Sequence, residues 1–282
     1  MVDKSRLIAD LVELYRKVAC ELPSDVETAM TEASLAEEGL AKEALNDIID
    51  NIALSKKNKT PLCQDTGVPI WNIERSQAYT EKFLRDAITE ATIKASKDIP
   101  LRPNAVNTIT DKNSGNNVGT EAPIIYFKEA EEGLKLRLML KGGGSENIGQ
   151  LYKLPDTKLE ADRNFKGVEK CIYTAVYDAQ GKGCPPYILG IGLGGSVDVV
   201  TRIAKEQLFR KLQDENPNKE LDLLEKKLLR NINTLGIGAA GYGGGKTVLG
   251  VKVADVSRHP ASYFIYVAFN CWAMRKGELR YD

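Results

Sequence analysis

The period of the hydrophobic pattern changes part-way along this 282-residue chain, and that change restricts the fold more than any other feature. Near the N-terminus Leu7, Ile8, Leu11, Val12, Tyr15 and Val18 recur at helical spacing, so one stripe of a helix can face a core. Ser24 followed by Glu27 has the form of a capping box opening a second helix. Leu45, Ile48, Ile49 and Ile52 predict a third, and residues from about Gln77 to Ser96 a fourth, so residues 1–100 read as a helical subregion. Beyond residue 120 the period falls to two. Residues 122–128 and 134–140 read as strands joined by a short turn containing Gly133, the second alternating Leu with Lys or Arg and then Leu with Met. Helices are predicted over about 160–178, from a Ser196 cap through Arg210, and over 218–231 as a charged surface helix. Strands are predicted from Pro185 to Leu193, over 247–256 and over 262–269. A helical region followed by mixed sheet and helix gives an α/β (mixed α+β) fold class. With no repeat, low-complexity tract or clear linker, one domain over 1–282 is expected.

The chain carries 39 basic and 39 acidic side chains. A net charge of zero gives no electrostatic case for nucleic acid or a membrane surface, and mildly favours association. No apolar run is long enough to span a bilayer, and Asp10 and Glu13 interrupt what would be a signal-peptide core, so a cytoplasmic location is expected. Five cysteines, an odd number, argue against a disulfide framework and for metal or catalytic use of some of them.

Three of the five stand in distinctive surroundings: Cys63 in P-L-C-Q-D-T-G, Cys184 in G-K-G-C-P-P and Cys271 in F-N-C-W. Flanking Gly, Pro and small polar residues put the first two in loops. Thiolates are soft ligands that select iron–sulfur clusters, zinc or copper(I). Three of them are one short of a closed four-ligand site, which leaves the open position a catalytic metal needs. Cys20 and Cys171 end helix-like stretches and read as packing residues, the ordinary role of a buried thiol.

Two glycine patterns need weighing. Gly190, Gly192 and Gly195 satisfy G-x-G-x-x-G between a strand and a helix, but no second strand carries the acid a dinucleotide ribose requires. Gly241 to Thr247 ends like a P-loop, yet Ala240 stands where that motif needs glycine, and a strand follows instead of a helix. The first can still hold an anion at a helix N-terminus or let backbone approach closely, and the second is better read as a close backbone approach or a structural turn. Asp65, two residues after Cys63, can act as general acid or base beside a metal ligand, or can simply close a turn on its own backbone. His259, the only histidine, precedes Pro260; it is structural or a proton-transfer partner for Asp65. Arg102 in L-R-P-N can bind a carboxylate bidentately, or be an ordinary surface arginine.

Taken together, P-L-C-Q-D-T-G (61–67), L-R-P-N (101–104), G-T-E-A-P (119–123), K-G-G-G-S-E-N (141–147), G-C-P-P-Y-I-L-G-I-G-L-G-G (183–195), G-Y-G-G-G-K-T (241–247), R-H-P-A (258–261) and N-C-W-A-M-R-K-G (270–277) resemble the class I, iron–sulfur-dependent fumarate hydratases and the related L-tartrate dehydratases. The resemblance implies a [4Fe–4S] cluster held by Cys63, Cys184 and Cys271, with one iron open to substrate. It implies substrate contacts from Gln64, Asp65, Arg102 and a glycine of the 142–144 run, assigned to Gly143. It further implies that Asp65 is the catalytic acid, with His259 beside it.

Single-chain members of that family continue into a second region carrying further arginines, a lysine and a threonine base. This chain therefore resembles the α subunit of the two-subunit form, expected to work with a separate β subunit in an αβ heteromer such as α2β2. The expected reaction is reversible hydration of fumarate to (S)-malate, with L(+)-tartrate dehydration as the alternative. Readings from other classes are a redox or sensory iron–sulfur protein, which would ordinarily use four cysteines, a zinc enzyme, or a subunit scaffold with a degraded cluster.

Overall fold

The computed structural model describes residues 2–282. Its fold is α/β, and the chain divides into two compact units. The first comprises Met1–Pro23, Asp50–Gly143 and Ala273–Asp282; the second comprises Ser24–Ile49 and Gly144–Trp272.

The first unit is a four-stranded mixed sheet with helices packed on it. Helix α1 (Lys4–Cys20) starts where Asp3 accepts the main-chain N–H groups of Ser5 and Arg6, at 2.9 and 3.2 Å. Those two donors would otherwise be orphaned at the helix end. Its apolar stripe Leu7, Leu11, Tyr15 and Val18 is buried, as its spacing predicts. Helix α2 (Ser24–Ala36) belongs to the second unit, and α3 (Gly39–Asn58) contributes to both. Strand β1 (Val68–Arg75) comes next, followed by α4 (Glu81–Asp98), which opens on Thr80 accepting the N–H of Phe83.

Strands β2 (Ile124–Glu129), β3 (Leu134–Lys141) and β8 (Lys276–Tyr281) complete the sheet in the order β2-β1-β3-β8. β1 runs parallel to β2 and antiparallel to β3, and β8 is antiparallel to β3. Leu136 and Leu138 of β3, Trp71 and Ile73 of β1, Leu84 and Ile88 of α4 and the α1 stripe form one core. Each such side chain contributes roughly 1.5–3 kcal/mol on full burial.

The N-terminal region is helical as expected, with one strand, β1, set within residues 1–100. Its run V-P-I-W-N-I-E-R is buried over five consecutive residues instead of alternating, and Pro69 argues against a strand at sequence level. The short connection containing Gly133 joins β2 to β3 as expected, and β1 lies between them in the sheet.

The second unit has the sheet order β4-β7-β5-β6. It contains all but the first residue of the one-turn helix α5 (Gly143–Asn147), with β4 (Gln150–Lys153), α6 (Phe165–Ala179), β5 (Tyr187–Gly194), α7 (Val197–Gln207), α8 (Lys219–Asn233), β6 (Val248–Val256) and β7 (Phe264–Asn270). β5 is wholly buried, parallel to β6 and antiparallel to β7. The predicted helices and strands are present with shifted ends: α6 begins at Phe165 and α7 stops at Gln207. Ser196 stands at the N-cap of α7, but its hydroxyl donates to the Asp198 carboxylate and makes no cap bond. Only one face of α8 is exposed, its Leu221, Leu224, Leu228 and Ile232 joining the core with α6, β5, β6 and β7.

The glycines of 190–195 have a packing explanation. A Cβ at Gly190 would lie 2.1 Å from the Ala204 carbonyl oxygen, and one at Gly192 2.4 Å from that of Val200. Their absence lets α7 lie directly on β5, while Gly194 (φ +89) and Gly195 (φ +65) form the turn between the two. Among the described residues no helix is long and apolar enough to cross a membrane.

Candidate functional site

The expected site residues fall into both units, and each group is built by its own scaffold. In the first unit, the loop carrying Cys63, Gln64 and Asp65 connects α3 to β1 and is pinned before Cys63. The main-chain N–H of the buried Leu62 donates to the Ala19 carbonyl (2.9 Å), and its own carbonyl accepts from the Asn51 side chain (2.9 Å). The Ser55 hydroxyl bonds the Cys20 carbonyl at 2.8 Å. These anchors leave Cys63 and Gln64 exposed at the loop apex.

Asp65 follows, half-buried, with both carboxylate oxygens engaged. Oδ1 accepts the Gly67 N–H at 3.0 Å, which is the turn closure that the residue types suggested. Oδ2 accepts the Gly143 N–H at 2.7 Å, at the start of α5 and 78 residues away. The Asp65 carbonyl accepts from the guanidinium of Arg275.

Arg102 is also tied to this loop, through its backbone. The buried Thr66 hydroxyl accepts the Arg102 N–H (3.0 Å) and lies 3.3 Å from the Arg102 carbonyl, to which it can donate. Asn104 donates its side-chain amide to the Gly67 carbonyl at 3.0 Å. The Arg102 side chain itself is exposed. Gln64, Asp65, Arg102 and Gly143 are thus carried by three segments held together by hydrogen bonds.

In the second unit, Cys184 lies in the loop between α6 and β5, and Cys271 directly follows β7. The Trp272 N–H donates to the Cys184 carbonyl at 3.1 Å, which joins the two segments. The Cys184 loop is built on Tyr187, whose hydroxyl accepts the Gly183 N–H (3.1 Å) and donates to the Gln180 carbonyl (2.6 Å). Burial pushes the Tyr187 hydroxyl up to about 12; the Gly183 bond opposes this, and the nearby charges of Cys184 and Cys271 add to it. Cys184 is exposed and adopts φ +60, a left-handed conformation costing a non-glycine residue about 1–2 kcal/mol.

His259 is exposed in the turn between β6 and β7. Its Nδ1 accepts the Ala261 N–H at 3.0 Å, so the neutral ring carries its proton on Nε2. Arg258 braces this turn by donating to the carbonyls of His259, Pro260 and Ser262.

Cys20 and Cys171 are 3% and 0% exposed, as their helical settings predict. No disulfide joins any of the five cysteines. Among the described residues no three His, Cys, Asp or Glu side chains are gathered as a metal-ion site. The chemistry of the loop cysteines nonetheless suits a soft metal centre. Cys63 and Cys184 are exposed and Cys271 is half-buried, all three on or beside loops instead of filling a core.

Thr66, Asn104 and Arg275 were not singled out from the sequence. Their partners are 36, 37 and 210 residues distant, and only their presence inside long motifs drew attention to them.

A family model described as fumarate hydratase (fumerase) matches residues 8–280. A protein from Geobacillus stearothermophilus named as a class I fumarate hydratase is 41% identical over 278 residues, which are 96% of this chain and 54% of that protein. This chain therefore spans about half the length of that relative. A protein from Methanocaldococcus jannaschii named as an L(+)-tartrate dehydratase subunit alpha is 39% identical over 278 residues, covering 94% of each chain. The L(+)-tartrate dehydratase subunit alpha of Escherichia coli (strain UTI89 / UPEC) is 28% identical over 290 residues, covering 99% of this chain and 93% of that one.

Proposed function

Because the chain belongs to the fumarate hydratase family, and with it to the hydro-lyases, we propose that it is the α subunit of an iron–sulfur hydro-lyase interconverting fumarate and (S)-malate. One observation carries the reading: an exposed thiol, Cys63, stands two residues before a carboxylate, Asp65, whose Oδ2 is fixed on the Gly143 N–H. Cys63, Cys184 and Cys271 would hold a [4Fe–4S] cluster. When bound, such a cluster supplies a Lewis-acidic iron with one open position.

The remaining chemistry belongs to the chain. The exposed guanidinium of Arg102 binds a substrate carboxylate in bidentate fashion. Gln64 and the main chain at Gly143 orient the rest of the dicarboxylate, converting a bimolecular encounter into a positioned one. In the dehydration direction, Asp65 delivers a proton to the oxygen as the C–O bond breaks, and water leaves. His259, whose Nδ1 is occupied by the Ala261 N–H, keeps Nε2 available to carry a proton. The proton on the neighbouring carbon goes to a base on a β subunit, which also completes the carboxylate clamps. The α-subunit relatives, matched over more than nine-tenths of their length, support this division of labour.

The same matches favour a second reading, dehydration of L(+)-tartrate, which differs from malate by one hydroxyl. Anaerobic assay of the co-expressed αβ pair with malate, L-tartrate and mesaconate decides between them. Malate turnover that is lost in air and regained with iron and reductant is the expected outcome. Air-stable activity, or substantial turnover by the α chain alone, overturns the proposal. Replacing Cys63, Cys184 or Cys271 by Ser should each lower the iron and sulfide content.

A further inference from the structure

Arg275 is four residues past Cys271 and is 1% exposed. A guanidinium remains charged in any protein environment, so its burial needs a reason. Its Nη1 donates to the Asp65 carbonyl. Its own main-chain carbonyl accepts the N–H of Leu140, at the end of the strand leading to Gly142 and Gly143. The point a Gly142 Cβ would occupy lies 3.2 Å from Arg275 Nη2 and 3.2 Å from Asp65 Oδ2, so the two groups flank that glycine. The Nε of Arg275 has no hydrogen-bond partner, an arrangement that costs about 1–3 kcal/mol. A side chain selected only to fill space would be apolar and would avoid that cost.

We infer that Arg275 is a positioning residue for Asp65. Its planar fork holds the Asp65 main chain and borders Gly142, so that the carboxylate meets the Gly143 N–H. An ammonium could meet the carbonyl as a point charge but has no second arm to border Gly142. The inference rests on the reading of Asp65 as the proton donor.

The test uses the co-expressed αβ pair, prepared anaerobically, with Arg275→Ala, Arg275→Lys and Asp65→Asn. A displacement of about 1 Å at a reacting group can cost on the order of 100-fold in rate. Arg275→Ala is therefore expected to lose kcat on that scale with KM nearly unchanged, and with iron and sulfide content retained. Guanidinium ion should restore part of kcat by entering the emptied space, whereas methylammonium should not. Arg275→Lys should remain impaired, and it provides the comparison if the alanine variant does not fold. Amide hydrogen exchange at Gly143, read without the cluster, should accelerate in the arginine variants. Wild-type kcat, or losses that follow melting temperature and iron content with no guanidinium rescue, would reduce Arg275 to a structural residue. Full activity in Asp65→Asn would instead remove the proton-donor reading. An inactive Asp65→Asn beside a fully active Arg275→Ala overturns this inference alone.

Discussion

The main-chain N–H of Gly143 donates a 2.7 Å hydrogen bond to Oδ2 of Asp65. That bond fixes which way the carboxylate points, and the glycines around it are not equivalent. A Cβ at Gly142 would stand 3.2 Å from both Asp65 Oδ2 and Arg275 Nη2, whereas at Gly143 the nearest contact is 3.7 Å. Gly142→Ala should therefore displace Asp65 or Arg275, costing about 1–3 kcal/mol as overpacking does. Gly143→Ala should keep the wild-type melting temperature. Thermal unfolding of the two variants side by side checks the contrast.

Gly67 combines φ +84 with a close approach of backbone, and an added Cβ would lie 2.7–2.9 Å from atoms of Leu140 and Lys141. None of those atoms belongs to a flexible side chain, so Gly67→Ala should cost about 2–4 kcal/mol from left-handed strain and overpacking combined. Denaturant unfolding should show a lower midpoint with an unchanged slope.

Thr66 connects the Asp65 loop to Arg102 through one hydroxyl. Thr66→Val keeps the shape but leaves the part-buried Arg102 N–H without its partner, at about 1 kcal/mol. Thr66→Ser keeps the hydroxyl and should recover most of that stability. If Arg102 binds a substrate carboxylate, the valine variant should also raise KM while the serine variant does not.

The second unit depends on a buried carboxylate. Glu225 Oε1 accepts Arg210 Nη1, the Asn216 side chain and the Val253 N–H, each at 2.7 Å. Glu225→Ala leaves the buried Val253 N–H without its partner and removes one of the two carboxylates on Arg210, Asp214 remaining, and should cost about 1–3 kcal/mol. Burial raises the neighbouring Asp214, but its bonds from Arg210 and Lys252 outweigh this and hold it below the usual carboxylate range. A lowered folded value means stability that is present above the unfolded value and lost as pH falls through the folded one. Acid titration of the melting temperature should therefore show a decline beginning near pH 4, about the unfolded carboxylate value, and continuing below it.

Burial, then the Asp156 charge, pushes the Cys171 thiol up to about 11, with a backbone hydrogen bond opposing. The folded state therefore favours the neutral thiol. This stabilisation is complete below the unfolded value of 9.0 and is lost as pH rises through about 11. Alkylation of the cluster-free native chain at pH 8 should modify Cys63 and Cys184 while sparing Cys171. Mass spectrometry of digests before and after denaturation measures this directly.

Local sequence made much of this fold readable. The α1 stripe, the alternation of β3 and the apolar runs of β6 and β7 are short-range signals, and each became the element its period indicates. β1 was not readable, because a strand buried on both faces has no alternation and Pro69 argues against it. β8 was missed as well; its half-buried and exposed residues K-G-E-L-R-Y carry little hydrophobic signal.

The same division holds at the candidate site. Cys63, Asp65, Arg102, Cys184 and Cys271 announced themselves through their neighbours in the chain. Their pairings did not: Gly143, itself an expected substrate contact, lies 78 residues from Asp65, and Arg275 lies 210. Sequence by itself determined the α/β class, the helix and strand periods, and which cysteines stand in loops, because each follows from residues close along the chain. Only the tertiary structure decided that β1 separates β2 from β3, that Gly190 and Gly192 admit α7, and that Arg275 and Gly143 hold Asp65. Those are contacts between distant segments, set by sheet order and close packing, to which local propensity is blind.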